Sequence, residues 1–165
     1  MEYTKNIDKA LKGLEKGAFL TVKNGDKVNT MTIGWGQIGY QWKKPVFTVM
    51  VRKSRYTYEL LENAKEFTVS IPVEENEELK NALKVCGTKS GRECDKIKEC
   101  KLKLEDGKSI KTPIIANCEL QYECRILCKH ELVSEELNEE IDSAMYSNND
   151  YHVFYYGEIV NTYEK

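Results

Sequence analysis

A mainly β protein with inserted helices, closed as an antiparallel barrel, is the fold class that the 165-residue chain predicts. Two observations carry this. Strand-like segments outnumber helical ones, and they follow one another through hairpins or short connections rather than alternating with helices as a βαβ sheet would. Ten tyrosines and two tryptophans also suit a β-rich protein with flat aromatic surfaces.

Taken in order, residues 3–16 place Tyr3, Ile7, Ala10, Leu11 and Leu14 at helical spacing, an amphipathic lead-in that Gly17 ends. Residues 18–23 alternate as a strand, Asn24-Gly25-Asp26 supplies a hairpin turn, and residues 28–34 return as its partner. Residues 36–44 are expected to be irregular. The run from Pro45 to Val51 is apolar almost throughout, as a strand buried on both faces is. Tyr56, Leu60 and Leu61 then recur at helical spacing, with Ser54 placed to cap the first turn. Residues 66–71 alternate Phe67, Val69 and Ile71 against Glu66, Thr68 and Ser70, a half-exposed strand that Pro72 closes. Helices are expected over 76–86 and 93–100, and a long strand over 117–132. A polar, acidic loop should fill 135–150, and a last strand 151–163. The length fits one domain, residues 1–165, able to bury a real core.

Composition excludes several function classes. With 41% hydrophobic and 32% charged residues and a net charge of -2, the chain is an ordinary soluble globule without the basic face nucleic acid requires. No signal-like segment and no long apolar run stands out, so a cytoplasmic protein without a membrane partner is expected. The six cysteines form no C-x-x-C pair and only two histidines accompany them, which argues against a metal site or a disulfide framework. Cys118, Leu120, Tyr122, Cys124, Ile126 and Cys128 fall on one face of a period-two pattern, so these three cysteines read as small buried hydrophobes in a reducing compartment. Cys86 is open to two readings: a reactive thiol near a bound cofactor, or part of a helix face with Leu79, Ala82 and Leu83.

The segment richest in chemistry follows the buried strand. Arg52, Lys53 and Arg55 bring positive charge, and Ser54 and Thr57 bring hydroxyl donors, to a point where a strand turns into a helix. Free backbone N–H groups converge at such a turn, which suits a phosphate. Helix starts with Ser and Arg are also common without a ligand. A second loop, Gly87-Thr88-Lys89-Ser90-Gly91-Arg92, strengthens the anion reading, since glycines let a backbone approach an anion closely. Its spacing is not that of a nucleoside-triphosphate loop.

Three ordered motifs carry a resemblance. Asn29-Thr30-Met31-Thr32-Ile33-Gly34-Trp35, Arg52-Lys53-Ser54-Arg55-Tyr56-Thr57, and Cys86-Gly87-Thr88-Lys89-Ser90-Gly91-Arg92 with Asp95-Lys96 resemble the flavin reductase-like family of FMN-binding split β-barrel proteins, which includes the flavoredoxins. The resemblance runs from about residue 15 to residue 163. It implies a Greek-key split barrel and a homodimer with one FMN per subunit near the interface. It also implies that Thr30, Met31, Thr32, Ile33, Gly34 and Trp35 line the flavin ring. Arg52, Ser54, Arg55 and Thr57 would face the ribityl phosphate, and Lys89, Ser90 and Gly91 would close over it. His152 falls where relatives often carry a histidine near the flavin, although a lone histidine is more often structural.

A bound flavin carries the redox chemistry itself, so no catalytic residue is required of the protein, and none of the usual triads is evident. Three functions follow from the resemblance. One is an oxidoreductase taking electrons from a reduced nicotinamide and passing them through FMN to free flavin, a ferric complex or another acceptor. The second is a flavoredoxin-like carrier with a ferredoxin-type donor. The third is a flavin- or haem-binding module without turnover.

Overall fold

The computed structural model describes residues 2–165. In chain order the regular elements are α1 (Ile7–Lys16), β1 (Ala18–Asn24), β2 (Lys27–Ile33), β3 (Gly36–Gln41), β4 (Lys44–Arg52), α2 (Tyr56–Leu61) and β5 (Glu66–Ile71). There follow α3 (Glu77–Thr88), α4 (Lys96–Glu99), β6 (Leu104–Glu105), β7 (Ile114–Ile115), β8 (Leu120–Glu131), α5 (Glu139–Met145) and β9 (His152–Glu164).

Seven strands form one sheet in the order β2-β1-β5-β8-β9-β4-β3, every neighbouring pair antiparallel. The edge strands β2 and β3 are consecutive in the chain and joined only by Gly34 and Trp35. The sheet therefore curls until its edges approach at that dipeptide, with no ladder between them among the described residues. This is an antiparallel barrel with a split. Its interior is apolar: Leu20, Val22, Val49, Val69 and Val153 are buried there, and the Phe47 and Tyr122 rings meet edge to face at 5.2 Å. A second core of Phe19, Leu79, Ala82, Cys86, Leu102, Ile115 and Cys118 seats α3 and α4 on the outside.

Several expectations need correction. Residues 36–44 are regular, because β3 and β4 form a hairpin whose turn residues Trp42 and Lys43 both adopt positive φ, 50° and 59°. A turn of that shape normally announces itself with Gly or Asn, and here it does not. Ser54 does not cap α2: Arg55 holds the cap position, and the Ser54 hydroxyl donates to Asp150 at 2.6 Å. Strand β5 is buried on both faces, since a strap formed by residues 106–118 covers its polar side. Thr68 donates to the Pro113 carbonyl at 2.7 Å, and Ser70 donates to Gln121 at 2.6 Å. Under the same strap the buried Glu123 carboxylate accepts the amides of Lys108, Ser109 and Ile110. Strand β8 begins after Cys118, and irregularities at 123–124 and 126–128 break its period-two pattern. Cys118 and Cys124 are buried as expected, whereas Cys128 is exposed. The 135–150 segment contains α5 rather than loop alone. Gly34, Gly36 and Gly39 have the spacing of a dinucleotide turn, but they lie in and after the β2–β3 connection, where no helix follows.

Candidate functional site

Two small clefts line up beside the split in the barrel and share one residue, Arg55. The first, about 150 Å³, is bounded by Met31, Thr32 and Ile33 of β2, the Gly34-Trp35 link, Met50 and Arg52 of β4, and His152 of β9. The second, about 130 Å³, lies between the start of α2 (Ser54, Tyr56, Thr57) and the loop of residues 88–92, with Asn29 and Lys96 in its wall. Consecutive β4, Arg52 and Arg55 run from one cleft to the other because the chain leaves the sheet here and turns into α2.

Positive charge is concentrated at the junction. Arg55 donates to the carbonyls of Gly87 (2.8 Å) and Cys86 (3.1 Å), so it closes the C-terminal turn of α3 where carbonyls lack helical partners. Lys96, only 3% exposed, reaches the same Cys86 carbonyl at 3.5 Å. Among the described residues neither cation forms an ion pair with a carboxylate. Burial holds Arg55 below its ordinary value, and burial together with the Arg55 charge does the same to Lys96. A buried lysine beside a half-buried arginine, with no ion-paired carboxylate on either among the described residues, favours a site for an anion.

The loop is shaped to approach closely. A Cβ on Gly91 would stand 2.1 Å from the Asn29 Oδ1 and 2.8 Å from the Tyr56 ring. Asn29 in turn donates to the Thr57 hydroxyl at 2.8 Å, leaving that hydroxyl its own proton to give. Lys89 and Arg92 are engaged elsewhere, with Glu99 and Glu59 respectively.

The ring-lined cleft has a different character. His152 is nearly buried, lies 5.4 Å from the Trp35 ring, and shares a 2.8 Å hydrogen bond between Nδ1 and the Tyr146 hydroxyl. Burial, with the nearby Arg52 charge, pulls its imidazole down to about 4, so it is neutral at pH 7. Arg52 donates to the carbonyls of Asp150 (2.7 Å) and Met145 (2.8 Å) and lies over the Tyr146 ring. It therefore binds the segment after α5 to the barrel.

Comparison with known proteins identifies the lineage. Residues 17–165 match the family model described as the flavin reductase like domain. The chain belongs to the flavin reductase-like family. A curated relative, an uncharacterized protein of Archaeoglobus fulgidus, is 33% identical over 109 residues, 66% of this chain; the match spans only 59% of that protein's length. The flavoredoxin structure from Methanosarcina acetivorans superposes with a TM-score of 0.69 at 26% identity, covering 90% of this chain and 68% of that one. A split barrel domain structure from Shewanella frigidimarina gives a TM-score of 0.69 at 13% identity, covering 90% of this chain and 66% of that one, and supports the split-barrel fold alone.

Within this flavin reductase-like chain, the residues expected to line a flavin are largely gathered. Met31, Thr32, Ile33, Gly34 and Trp35 border the first cleft, and Ser54, Thr57, Lys89, Ser90 and Gly91 the second. Arg55 borders both, whereas Arg52 borders the first. Thr30 borders neither: it is fully buried, and its hydroxyl is bonded within the β1–β2 hairpin to Leu20 and Thr21. Thr32 turns its hydroxyl to the Leu83 carbonyl at 2.6 Å. Asn29 and Lys96 also border the second cleft, and Tyr146, within the acidic segment, holds His152 beside the first; residue type alone distinguishes none of the three. Cys86 packs in the second core, where burial pushes its thiol up to about 12. Among the described residues no helix is long and apolar enough to cross a membrane.

Proposed function

We propose that the chain is an FMN-binding oxidoreductase, with the phosphate in the second cleft and the flavin ring along the first. One observation carries the reading: buried Lys96 and half-buried Arg55 form no ion pair with a carboxylate among the described residues, and both are fixed on the Cys86 carbonyl beside the hydroxyl of Thr57 and the loop of Ser90 and Gly91. A phosphate dianion would supply the missing counter-charge through charge-assisted hydrogen bonds. Bound FMN would supply electron and hydride transfer between a donor and an acceptor.

The chain's own residues bind and orient. Backbone groups from Met31 to Gly34 would border the ring, and Trp35 would cover it from the split. The neutral His152, held through Nδ1 by Tyr146, would present an uncharged edge to the ring cleft. Arg52 and Ser54 would act indirectly, by anchoring Asp150 and the segment after α5. The electron donor in this reading is a reduced nicotinamide or a ferredoxin-type protein, and the acceptor is a flavin, a ferric complex or a redox partner. A homodimer is part of the proposal. Exposed Trp35 beside the ring cleft, and Tyr40 (62% exposed) and Trp42 (60% exposed) at the far end of β3, are aromatic side chains that a second subunit would cover.

Similarity to a flavoredoxin favours a second reading, an electron carrier without nicotinamide activity. Anaerobic stopped-flow mixing of the FMN-loaded protein with NADH, NADPH and reduced ferredoxin separates the two. Bleaching of the flavin band by a nicotinamide supports the reductase, bleaching by ferredoxin alone supports the carrier, and bleaching by none contradicts both.

A further inference from the structure

The phosphate cleft is open at its far side. It continues into a third cleft of about 610 Å³, and Asn29, Tyr56, Gly91, Arg92 and Lys96 border both. The ring cleft shares only Arg55 with the phosphate cleft and no residue with the third, so the phosphate cleft lies between the other two. Gly91 keeps the passage open, because a Cβ there would stand 2.1 Å from the Asn29 Oδ1 and 2.8 Å from the Tyr56 ring. Lys96, 3% exposed, belongs to both walls. An ammonium has three protons to donate, and the Cys86 carbonyl takes one of them, which leaves two for anions on either side. The third cleft has the size of a small-molecule site. Val28, Ile97 and Leu104 give it an apolar lining, and the Arg92 guanidinium lies over the Tyr56 ring, 5.5 Å from its centre, a pair on which a purine can stack. Asp26 and Glu93 border it, and among the described residues neither forms an ion pair. Carboxylates so placed can accept the hydroxyls of a ribose.

We propose that the third cleft holds the adenosine monophosphate half of a flavin dinucleotide, so that FAD occupies all three clefts and binds more tightly than FMN. The inference rests on the flavin reading and extends it outward from the phosphate. The FMN half keeps the clefts already assigned to it, which by themselves leave the largest of the three empty. Arg55 would face the inner phosphate, and Lys96, common to both walls, would serve the inner and the outer one. The adenine would stack on the Arg92–Tyr56 pair above the apolar lining, and its ribose would donate to Asp26 or Glu93.

The test titrates FMN and FAD separately into the flavin-free full chain by isothermal calorimetry. FAD is expected to bind at least ~10-fold more tightly. Leu104→Glu and Lys27→Glu each add a carboxylate at an exposed position that borders the third cleft and neither of the other two. Each variant should cut the advantage of FAD at least ~5-fold through repulsion of the outer phosphate, and leave FMN affinity as it was. Circular dichroism checks that both variants fold, and either one suffices. FAD bound no more tightly than FMN overturns the inference and leaves the flavin reading standing. An FAD advantage that survives in the folded variants, or an equal loss of FMN and FAD affinity, overturns the placement in the third cleft. Binding of neither flavin to the parent chain overturns the flavin reading and this inference with it.

Discussion

Arg55 and Lys96 share one acceptor: the Cys86 carbonyl oxygen takes the Arg55 Nη2 at 3.1 Å and the Lys96 Nζ at 3.5 Å. The two come from opposite sides of the site, Arg55 from the turn into α2 and Lys96 from the first position of α4. Burial lowers the preference of both for charge, and the Arg55 charge lowers that of Lys96 further. Such an arrangement is costly to fold and useful only when an anion arrives.

Lys96→Met should therefore separate binding from stability. Removing a buried, unpaired ammonium is expected to raise the unliganded protein's stability by about 1 kcal/mol at pH 7 while weakening FMN binding about tenfold. Thermal melts with and without FMN check both. In the parent protein the depressed Lys96 value means stability rises with pH between the folded value and the ordinary one, and the Met variant should lose that rise.

Arg55→Ala should weaken FMN binding by roughly 2 kcal/mol, about 30-fold, the usual loss for a charge-assisted contact. It also strips a donor from the Cys86 and Gly87 carbonyls, so a lower Tm is expected, unlike for Lys96→Met. Unchanged affinity in a fluorescence titration removes Arg55 from the site.

At Gly91 the constraint is space rather than torsion. The added methyl of Gly91→Ala would collide with Asn29 Oδ1 and Tyr56, breaking the Asn29–Thr57 hydrogen bond. FMN affinity is expected to fall at least ~10-fold, with a stability loss of about 1 kcal/mol. Calorimetric titration beside a denaturant melt measures the pair of effects.

His152 gives a pH signature. Its imidazole resists protonation until about pH 4, whereas the unfolded chain takes up the proton near 6.5. The unfolded state thus binds more protons between those values, so stability falls as pH drops through this window and is flat above it for this group. The full effect is about 3 kcal/mol. His152→Gln, which can keep a partner for Tyr146, should flatten the dependence. A His152 ring resonance titrating near 6.5 by NMR would contradict the account.

Cys124→Ala tests the structural cysteines. The side chain is fully buried against Gly157, and shortening it should cost about 1 kcal/mol through a small cavity without altering any flavin spectrum. Loss of flavin colour from a folded Cys124→Ala protein is the result that would place this cysteine in the site.

Much of this architecture can be read from residue patterns, and the exceptions have physical causes. Apolar periodicity marks α1, β1, β4, β5, α3 and β9, because each buries a face or both faces in one of the two cores. It misses β3, whose exposed residues and glycine-free Trp42-Lys43 turn leave no such signature. It also misreads the polar faces of β5 and β8, since Ser70, Gln121 and Glu123 look like solvent-facing residues until residues 106–118 fold over them. Site chemistry is legible where charge and hydroxyls crowd together, at Arg55, Thr57 and Gly91. Lys96 is hidden because nothing in a Lys-rich stretch distinguishes a buried lysine from a solvated one. Thr30 looks like a lining residue, but it is fully buried with its hydroxyl bonded to Leu20 and Thr21 within the β1–β2 hairpin.

The measurement that tests the central claim most directly is the visible absorption spectrum of the desalted protein, before and after stoichiometric FMN, for the parent and for Arg55→Ala. Flavin bands that shift on mixing and survive desalting in the parent, but wash out of the variant, are the predicted result. Bands identical to free FMN, lost on desalting from parent and variant alike, would contradict it.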